Sequence, residues 1–410
     1  MQPYPSLLNK SPTTHRTLHM AVISETYPPE INGVAMTTGR VVRAMQARGH
    51  QIQLIRPRQG AQDLGRTEPN LEHVLKPGIR IPRYHDLRMG LPARFSLIKR
   101  WREKRPEIVH LVTEGPLGWS ALSAALALKI PVTSDFHTNF HSYSRHYGLS
   151  CLHGAIERYL RGFHNRTRLT LVPTHTLREK LAQHGYRYLR VLARGVDAEL
   201  FTPAQRSDAL RARWGVQPRD LVALYVGRLA AEKNLPMVVR AFAALRVRQP
   251  SAKLVLVGDG PMHDSLMRAL PGAIFAGMRT GVDLATHYAS GDIFLFPSLT
   301  ETFGNVTLEA MASGLAVIAY DDAAAHDLIT HRVNGLLAPV DAAQAFCALV
   351  SEIGGQPNRV RHLGAAARQT AERMVWSQIY TEFEQALFDV IHASERSMHA
   401  TSSELRSRPA

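Results

Sequence analysis

The chain has 410 residues, a hydrophobic content of 45% and a formal net charge of +15. This length is too great for one ordinary hydrophobic core, so we expect two α/β domains. The longest apolar stretch begins at Gly118, is too short for a bilayer and is interrupted by Lys129, so no transmembrane helix is predicted.

The N-terminal segment and the cysteines indicate the compartment. Residues 1–16 are polar and lack the apolar centre of a signal peptide, so a disordered tail is expected there. The two cysteines, Cys151 and Cys347, lie far apart and have neither the pattern of a disulfide framework nor the spacing of metal ligands. We therefore expect a cytoplasmic protein in a reducing environment.

Short apolar runs alternate with helix-length segments along the whole chain. The predicted strands are TLHMAVIS, HQIQLIRP, PEIVHLV, PVTSDFHT and RLTLVPT in the first half, and LVALYVGR, AKLVLVGDG, AIFAG, DIFLFPS and LAVIAY in the second. Residues 235–248 and 341–352 are typical of the helical segments. This alternation indicates parallel sheets that are covered on both faces.

Two such series predict an α/β protein with two doubly wound, Rossmann-like domains facing across a cleft. We place the N-terminal domain at residues 17–192 and the C-terminal domain at residues 197–374. A helix at residues 375–395 is expected beyond the second sheet. Residues 396–410 are polar, and we expect them to form a disordered tail.

Polar residues that follow strands are the site candidates, because ligands of open parallel sheets bind at the carboxyl ends of the strands. Arg228 and Lys233 follow LVALYVG, and Asn234 is the predicted N-cap of the next helix. Two cations beside a helix N-terminus can bind a diphosphate. Solvated cations on a surface loop have the same pattern, so both interpretations stay open at this point.

Three other loops carry weaker signals. Gly33 precedes the first helix, where a phosphate can approach the backbone closely. In the polar loop SDFHTNFH, His137 can hydrogen-bond a hydroxyl or a phosphate, although a chain with 20 histidines places some in loops by chance. Backbone groups near Gly277 and Met278 can pair with the edge of a base, but structural turns need the same glycines.

The segment PSLTETFGNVTLEAMASG places Glu301 and Glu309 eight residues apart around Gly304. Asn305 is the predicted N-cap of a helix, so Glu301 belongs to the loop after a strand and Glu309 to the first helical turn. A carboxylate suits a pair of neighbouring hydroxyls. One glutamate can hold a sugar ring and the other a ribose, with backbone amides facing phosphate between them. That order fits a nucleotide sugar.

These residues carry a family resemblance. ETFGNVTLEAMASG resembles the E-x7-E motif of the retaining glycosyltransferases of family 4, which have the GT-B fold. VGRLAAEKN is similar to that family's G-R-x4-K diphosphate segment, PPEINGVA to its N-terminal glycine loop, and RGVDAELFTP to its domain junction. SDFHTNFHSYSRHYG and AYDDAAAHDLI further resemble the branch with GDP-mannose-dependent mannosyltransferases and glycosyl- and sulfoquinovosyl-diacylglycerol synthases. The resemblance covers residues 17–392 approximately.

The resemblance implies a retaining transferase that moves a hexose from a GDP-mannose or UDP-glucose type of donor to a hydroxyl acceptor. The N-terminal domain would be the acceptor side, and the C-terminal domain would bind the nucleotide sugar. The implied catalytic residues are Glu301, His137, Arg228 and Lys233. The implied donor contacts are Gly33, Arg228, Lys233, Gly277, Met278, Thr302, Phe303, Gly304, Asn305 and Glu309. No cofactor or metal is expected, because the family lacks a D-x-D metal site.

The charge is concentrated in residues 40–110, where 16 Lys/Arg stand against 6 Asp/Glu. Such an excess favours nucleic acid, anionic lipid or phosphorylated small molecules as partners. In RFSLIKRWREKR, the residues Phe95, Ile98 and Trp101 recur every three positions. This pattern fits either a helix that lies on an anionic membrane or a crossover helix that packs on its sheet. The first interpretation predicts a lipid or lipid-linked acceptor at the inner face of the membrane.

Two alternatives to a transferase remain. A sugar-nucleotide epimerase of the same fold would bind the donor without consuming an acceptor. A basic nucleic-acid-binding protein would explain the charge, but no aromatic stacking platform or recognition helix stands out. A nicotinamide dehydrogenase is disfavoured, because G-x-G-x-x-G is missing after the first strand.

Overall fold

The computed structural model describes residues 16–30, 32–60, 62–81, 84–137 and 153–406. Residues 1–15 of the tail that was expected at residues 1–16 lie outside them, as do Cys151 and the part of the polar loop that contains Asn139 and His141. The described chain forms two lobes, each built on its own sheet. We call them the first lobe and the second lobe in chain order. They correspond to the two expected domains.

The first lobe contains an eight-stranded sheet and a separate hairpin. The strands are β1 (His19–Ile23), β2 (Gln51–Pro57), β3 (Thr67–Glu68), β4 (Leu71–Lys76), β5 (Gly78–Ile81), β6 (Tyr84–Gly90), β7 (Ile108–Leu111), β8 (Val132–Asp135), β9 (Leu169–Val172) and β10 (Leu189–Val191). The sheet order is β10-β9-β8-β7-β1-β2-β4-β3, and only β3 runs antiparallel to its neighbour. The hairpin pairs β5 with β6.

Helices cover both faces of this sheet, because successive residues of its strands point to opposite faces and are apolar on each. Met20 and Val22 of β1 belong to a buried cluster on one face, and Ala21 and Ile23 belong to a cluster on the other. The helices of this lobe are Gly33–Ala47, Arg94–Glu103, Pro116–Ala127, His153–His164 and His175–Gln183.

The basic helix Arg94–Glu103 decides between the two interpretations of its sequence. Trp101 is fully buried in the core, and Ile98 packs against the same cluster. The crossover interpretation is therefore confirmed for these two residues. Phe95, by contrast, is 80% exposed, so the helix also presents an aromatic ring among surface cations.

The second lobe contains a fully parallel six-stranded sheet. Its strands are β11 (Val222–Val226), β12 (Lys253–Val257), β13 (Ile274–Gly277), β14 (Ile293–Phe296), β15 (Ala316–Tyr320) and β16 (Leu336–Ala338). They lie in the order β13-β12-β11-β14-β15-β16. All five predicted strands of this half are present, and β16 is added at the edge.

The central strands of this sheet are buried along their whole length, as expected for a sheet with helices on both faces. The helices of this lobe are Asp208–Arg213, Leu235–Arg248, His263–Ala269, Gly281–Ala289, Asn305–Ala312, Ala323–Leu328, Ala343–Gly354 and Pro357–Ala371, with 3-10 turns at Pro203–Gln205 and Ala231–Lys233.

The C-terminal helix Trp376–Arg406 departs from expectation in its place and its length. The sequence predicts a helix beyond the second sheet, but Phe383 and Leu387 are buried in the first lobe's core. Glu384 ties the helix to that lobe, because it accepts hydrogen bonds from Arg48 and from His50 Nε2, the latter at 2.7 Å. The helix also continues through residues 396–406, where a disordered tail was expected, since this polar stretch contains several good helix formers.

The chain crosses between the lobes twice at one place. Val196 N donates to Met374 O at 2.8 Å, and Val196 and Val375 form a parallel bridge. Gly195 is required here, because a Cβ at this position would lie 2.7 Å from Trp376 N. We call these two paired segments the hinge. In the part of the chain that the structure describes, no helix is long and apolar enough to span a bilayer.

Candidate functional site

The loop after β11 lies at the carboxyl end of the second sheet. Arg228 is half-exposed, and its guanidinium lies 3.8 Å from Glu232. Lys233 ends a 3-10 turn and is mostly buried. Asn234 occupies the predicted N-cap position with φ 53°, although its side chain makes no capping hydrogen bond. The loop is supported from below by Gly258, where a Cβ would lie 2.0 Å from Gly227 O.

Glu301 lies directly beside this loop. β14, which precedes it, pairs with β11, so the loops of the two strands emerge side by side. The Glu301 carboxylate accepts hydrogen bonds from Lys233 Nζ and, at 2.8 Å, from Ser298 Oγ. The sequence predicted Lys233 at the diphosphate and Glu301 at the sugar, and the structure brings the two side chains into direct contact.

The next helix begins one residue earlier than the sequence predicts. Gly304 is the N-cap, with φ 89°, and Asn305 is the first helical residue, so the prediction of Asn305 as N-cap is wrong. The physical reason is the sharp turn after Phe303, which needs a left-handed backbone that glycine adopts without strain. Thr307 N then donates to Gly304 O at 3.0 Å.

Two helix N-termini meet across the cleft at this point. A Cβ on Gly33 would lie 4.0 Å from Asn305 Nδ2, so the first turns of Gly33–Ala47 and Asn305–Ala312 face each other. The Gly33 helix is capped by Asn32, whose side chain accepts from Ala35 N at 2.8 Å. The first N–H groups of a helix lack intrahelical partners and favour an anion. This pair of helix ends therefore suits a phosphate group.

Glu309 lies one turn along the helix, and Tyr288 OH donates to its carboxylate at 3.0 Å. Burial raises the pKa of Glu309, while the hydrogen bond from Tyr288 and the charge of Arg40 oppose that rise. Arg40 belongs to the first lobe, and its guanidinium lies 5.5 Å from the Trp376 ring centroid. Both lobes thus act on this carboxylate.

The remaining donor candidates lie around this centre. Gly277 ends β13 with φ 70°, and Met278 after it is 64% exposed. Thr302 is half-buried in the loop, whereas the Phe303 side chain is buried in the core. Phe303 O accepts from Ala324 N at 2.9 Å, so this residue anchors the loop to the helix Ala323–Leu328.

His137 follows β8 in the first lobe, and both of its ring nitrogens have partners. Nε2 lies 3.1 Å from Asp135 Oδ2, and Nδ1 lies 2.9 Å from an Arg194 guanidinium nitrogen. Burial lowers the pKa of His137. Burial would raise the pKa of Asp135, but His110 and His137 hold it well below its usual range.

The sequence reasoning missed three side chains of this arrangement, namely Ser298, Tyr288 and Arg194. Ser298 lies three residues before Glu301 and Tyr288 is an isolated tyrosine, so neither carried a motif. Arg194 was visible as a cation inside the junction RGVD. Among the described residues, no group of three or more His, Cys, Asp or Glu is placed to hold a metal.

The comparisons with known proteins agree with this geometry. Family models match the chain at residues 31–200, described as Glycosyltransferase Family 4, and at residues 220–354, described as Glycosyl transferases group 1. A GDP-mannose-dependent alpha-mannosyltransferase of Corynebacterium glutamicum is 34% identical over 93% of this chain and 91% of its own length. An alpha-monoglucosyldiacylglycerol synthase of Streptococcus pneumoniae is 26% identical over 78% of this chain and 75% of its own.

A solved structure shows the same fold. Sucrose-phosphate synthase from Thermosynechococcus elongatus superposes with a TM-score of 0.74 at 18% sequence identity, over 92% of this chain and 100% of that one. The two facing lobes and the loops between them thus define a glycosyltransferase of the GT-B class. At the level of family, the chain belongs to glycosyltransferase family 4. The predicted fold and the predicted enzyme class are both confirmed.

Proposed function

We propose that this enzyme transfers mannose from GDP-mannose to a hydroxyl acceptor, with retention of configuration and without a metal. The observation that carries the proposal is the contact between Lys233 and Glu301 beside the two facing helix N-termini. It places cation, carboxylate and backbone amides at one point of the cleft. The 34% identity with a GDP-mannose-dependent relative supports this donor over UDP-glucose.

The proposed donor lies along the carboxyl edge of the second sheet. Arg228, Lys233 and the amides near Gly33 and Asn305 bind the diphosphate, so they stabilise the charge that develops as it leaves. Glu309 accepts hydrogen bonds from the ribose. Backbone groups near Gly277 and Met278 pair with the base.

The proposed reaction is a front-face substitution. The bond between the anomeric carbon and the diphosphate oxygen breaks, and a bond from the acceptor oxygen forms on the same face. The acceptor's proton goes to an oxygen of the leaving diphosphate. Glu301, with the amides of Thr302 to Asn305, orients the sugar hydroxyls and stabilises positive charge on the ring.

A panel of nucleotides tests the donor. GDP and GDP-mannose are expected to raise the melting temperature, because a ligand at 100 times its Kd stabilises by about 2.7 kcal/mol, which corresponds to a shift on the order of 5 °C. UDP, UDP-glucose and ADP are the comparison ligands. A rise with UDP-glucose alone would reassign the donor. Conversion of GDP-mannose to an epimer without acceptor would show the epimerase instead.

We further propose that the acceptor is a lipid or a lipid-linked glycan at an anionic membrane surface. The helix Arg94–Glu103 supports this, because Phe95 is exposed beside Arg94 and Lys99, which are also exposed. Leu97 and Trp101 hold the opposite side of the helix in the core. A fixed helix that presents an aromatic ring between cations can lie on anionic headgroups. The name of one relative, alpha-monoglucosyldiacylglycerol synthase, agrees with this class of acceptor.

Co-sedimentation with vesicles tests the membrane surface. The triple variant Arg94→Glu, Lys99→Glu, Phe95→Ser is expected to lose binding to vesicles rich in phosphatidylglycerol about 30-fold or more, since each cation contributes about 1 kcal/mol near anionic lipid. The matched control is Arg246→Glu, Val247→Ser, Arg248→Glu, which likewise reverses two exposed cations and removes one exposed apolar side chain, but on the second lobe. Equal binding by the two variants would refute this surface.

A further inference from the structure

Arg194 stands out because it is a cation beside the hinge and yet only 8% exposed. It lies between β10 and the second lobe, one residue before Gly195, which packs on Trp376. Among the residues that the structure describes, its side-chain hydrogen-bond partner is His137 Nδ1 at 2.9 Å. A charge in this position needs a compensating partner, because burial of an ionised group is costly.

The compensating charge is Asp135, reached through the His137 ring. A guanidinium has donors only, so Nδ1 must accept from Arg194. His137 then carries its proton on Nε2, which donates to Asp135 Oδ2 at 3.1 Å. His110 approaches the same Asp135 oxygen at 3.4 Å from β7. The result is a chain of bonds from the carboxylate through a neutral imidazole to the guanidinium.

We propose that Arg194 is a positioning residue that, together with Asp135, fixes the Nε2-protonated tautomer and the orientation of His137 and couples both to the hinge. This inference rests on the proposed function only where it is tested by enzyme activity; the tautomer and the pKa of His137 are measured without substrate. His137 therefore offers no ring nitrogen to the substrate, and it meets the donor through its ring edge or its main chain. The contact between His137 and the sugar is therefore expected to be a van der Waals contact and not a hydrogen bond from the ring.

The charges that face His137 set the direction of the test. Among the residues that the structure describes, they are Asp135 at the end of β8, Arg194 at the hinge and Glu114 after β7. Burial lowers the pKa of His137, Asp135 and Glu114 raise it, and Arg194 lowers it further. Replacing Arg194 with a neutral side chain removes a lowering effect, so the pKa of His137 must rise.

The experiment compares the full-length enzyme with Arg194→Gln, Arg194→Lys and Arg190→Gln. Arg190 is the matched control, because it is a half-exposed arginine four residues earlier that pairs with Asp389. Histidine nitrogen NMR, with His137→Gln for assignment, reports the tautomer and the pKa. The pH profile of kcat/KM for donor and acceptor reports the coupling to the reaction.

We expect Nε2–H in the parent enzyme and in Arg190→Gln. In Arg194→Gln we expect mixed tautomers and a pKa of His137 higher by about one unit, with the acid limb of kcat/KM moving equally. That shift is a tenfold loss of kcat/KM at a pH below both values. Arg194→Lys keeps the charge, so the acid limb of its kcat/KM profile should lie close to that of the parent. This variant remains informative if the Gln variant does not fold.

Two results would overturn the proposal. One is an Nδ1–H tautomer in the parent, and the other is an unchanged His137 pKa in Arg194→Gln. Failure of every nucleotide sugar as substrate would refute the proposed function alone, since the NMR measurement is made without substrate.

Discussion

Replacing Glu301 with alanine is expected to lower kcat for transfer about 100- to 1,000-fold, which is the usual cost of removing one group that stabilises developing charge. The same variant should bind GDP as tightly as the parent or more tightly. Lys233 donates to Glu301 in the structure, so a diphosphate has to draw the ammonium away from a carboxylate. Without Glu301 that competition is absent.

Single-turnover kinetics and GDP titration by calorimetry separate these two effects. Glu352→Ala is the matched control, because Glu352 also pairs with basic side chains, Arg332 and Arg359, but lies outside the site on the helix Ala343–Gly354. Glu309→Ala should show the reverse pattern. We expect this variant to bind GDP more weakly and to lose less in kcat than in GDP affinity. Transfer by Glu301→Ala at the parental rate would show that the assigned role of Glu301 is mistaken.

Replacing Lys233 with alanine is expected to cause a larger loss, about 1,000-fold or more in kcat/KM. In the proposed binding mode, the variant would lose a charge-assisted bond to the diphosphate, worth roughly 1.5–3 kcal/mol, and would leave the mostly buried carboxylate of Glu301 facing the phosphate. GDP affinity should therefore fall about 10- to 100-fold, in contrast to Glu301→Ala.

A double-mutant cycle tests the coupling of the pair. For GDP binding, Lys233→Ala combined with Glu301→Ala should be less impaired than Lys233→Ala alone, because the second change removes the repulsive carboxylate. Lys104→Ala, which removes a lysine that pairs with Glu72 at 3.1 Å on the surface, controls for loss of charge. Strict additivity of the two site changes would contradict the direct contact.

Much of the architecture could be predicted because the strands are recognisable in the sequence as short apolar runs. Runs such as LVALYVG and DIFLFPS are buried on both faces of a parallel sheet, so their apolar composition is continuous. The rule that ligands lie at the carboxyl ends of strands then placed Lys233 and Glu301 near each other, and the structure shows that contact.

Contacts between distant segments could not be predicted in this way. Tyr288 reaches Glu309 and Arg194 reaches His137 only through the fold. No local pattern marks Tyr288, and the junction RGVD does not indicate which residue Arg194 contacts. The N-cap was misplaced because Asn305 has the better capping propensity, whereas the turn itself requires the positive φ of Gly304. Capping propensity describes a residue in isolation, whereas the backbone conformation of the turn determines which residue is the N-cap here.

The placement of the C-terminal helix has a consequence for how the protein is made. Phe383, Leu387 and their neighbours pack against one face of the first sheet, and they leave the ribosome after the whole of the second lobe. The second lobe, by contrast, is complete in the chain before they emerge. The half of the enzyme that is translated first therefore finishes folding last, and part of its apolar surface stays open until the helix Trp376–Arg406 has been made.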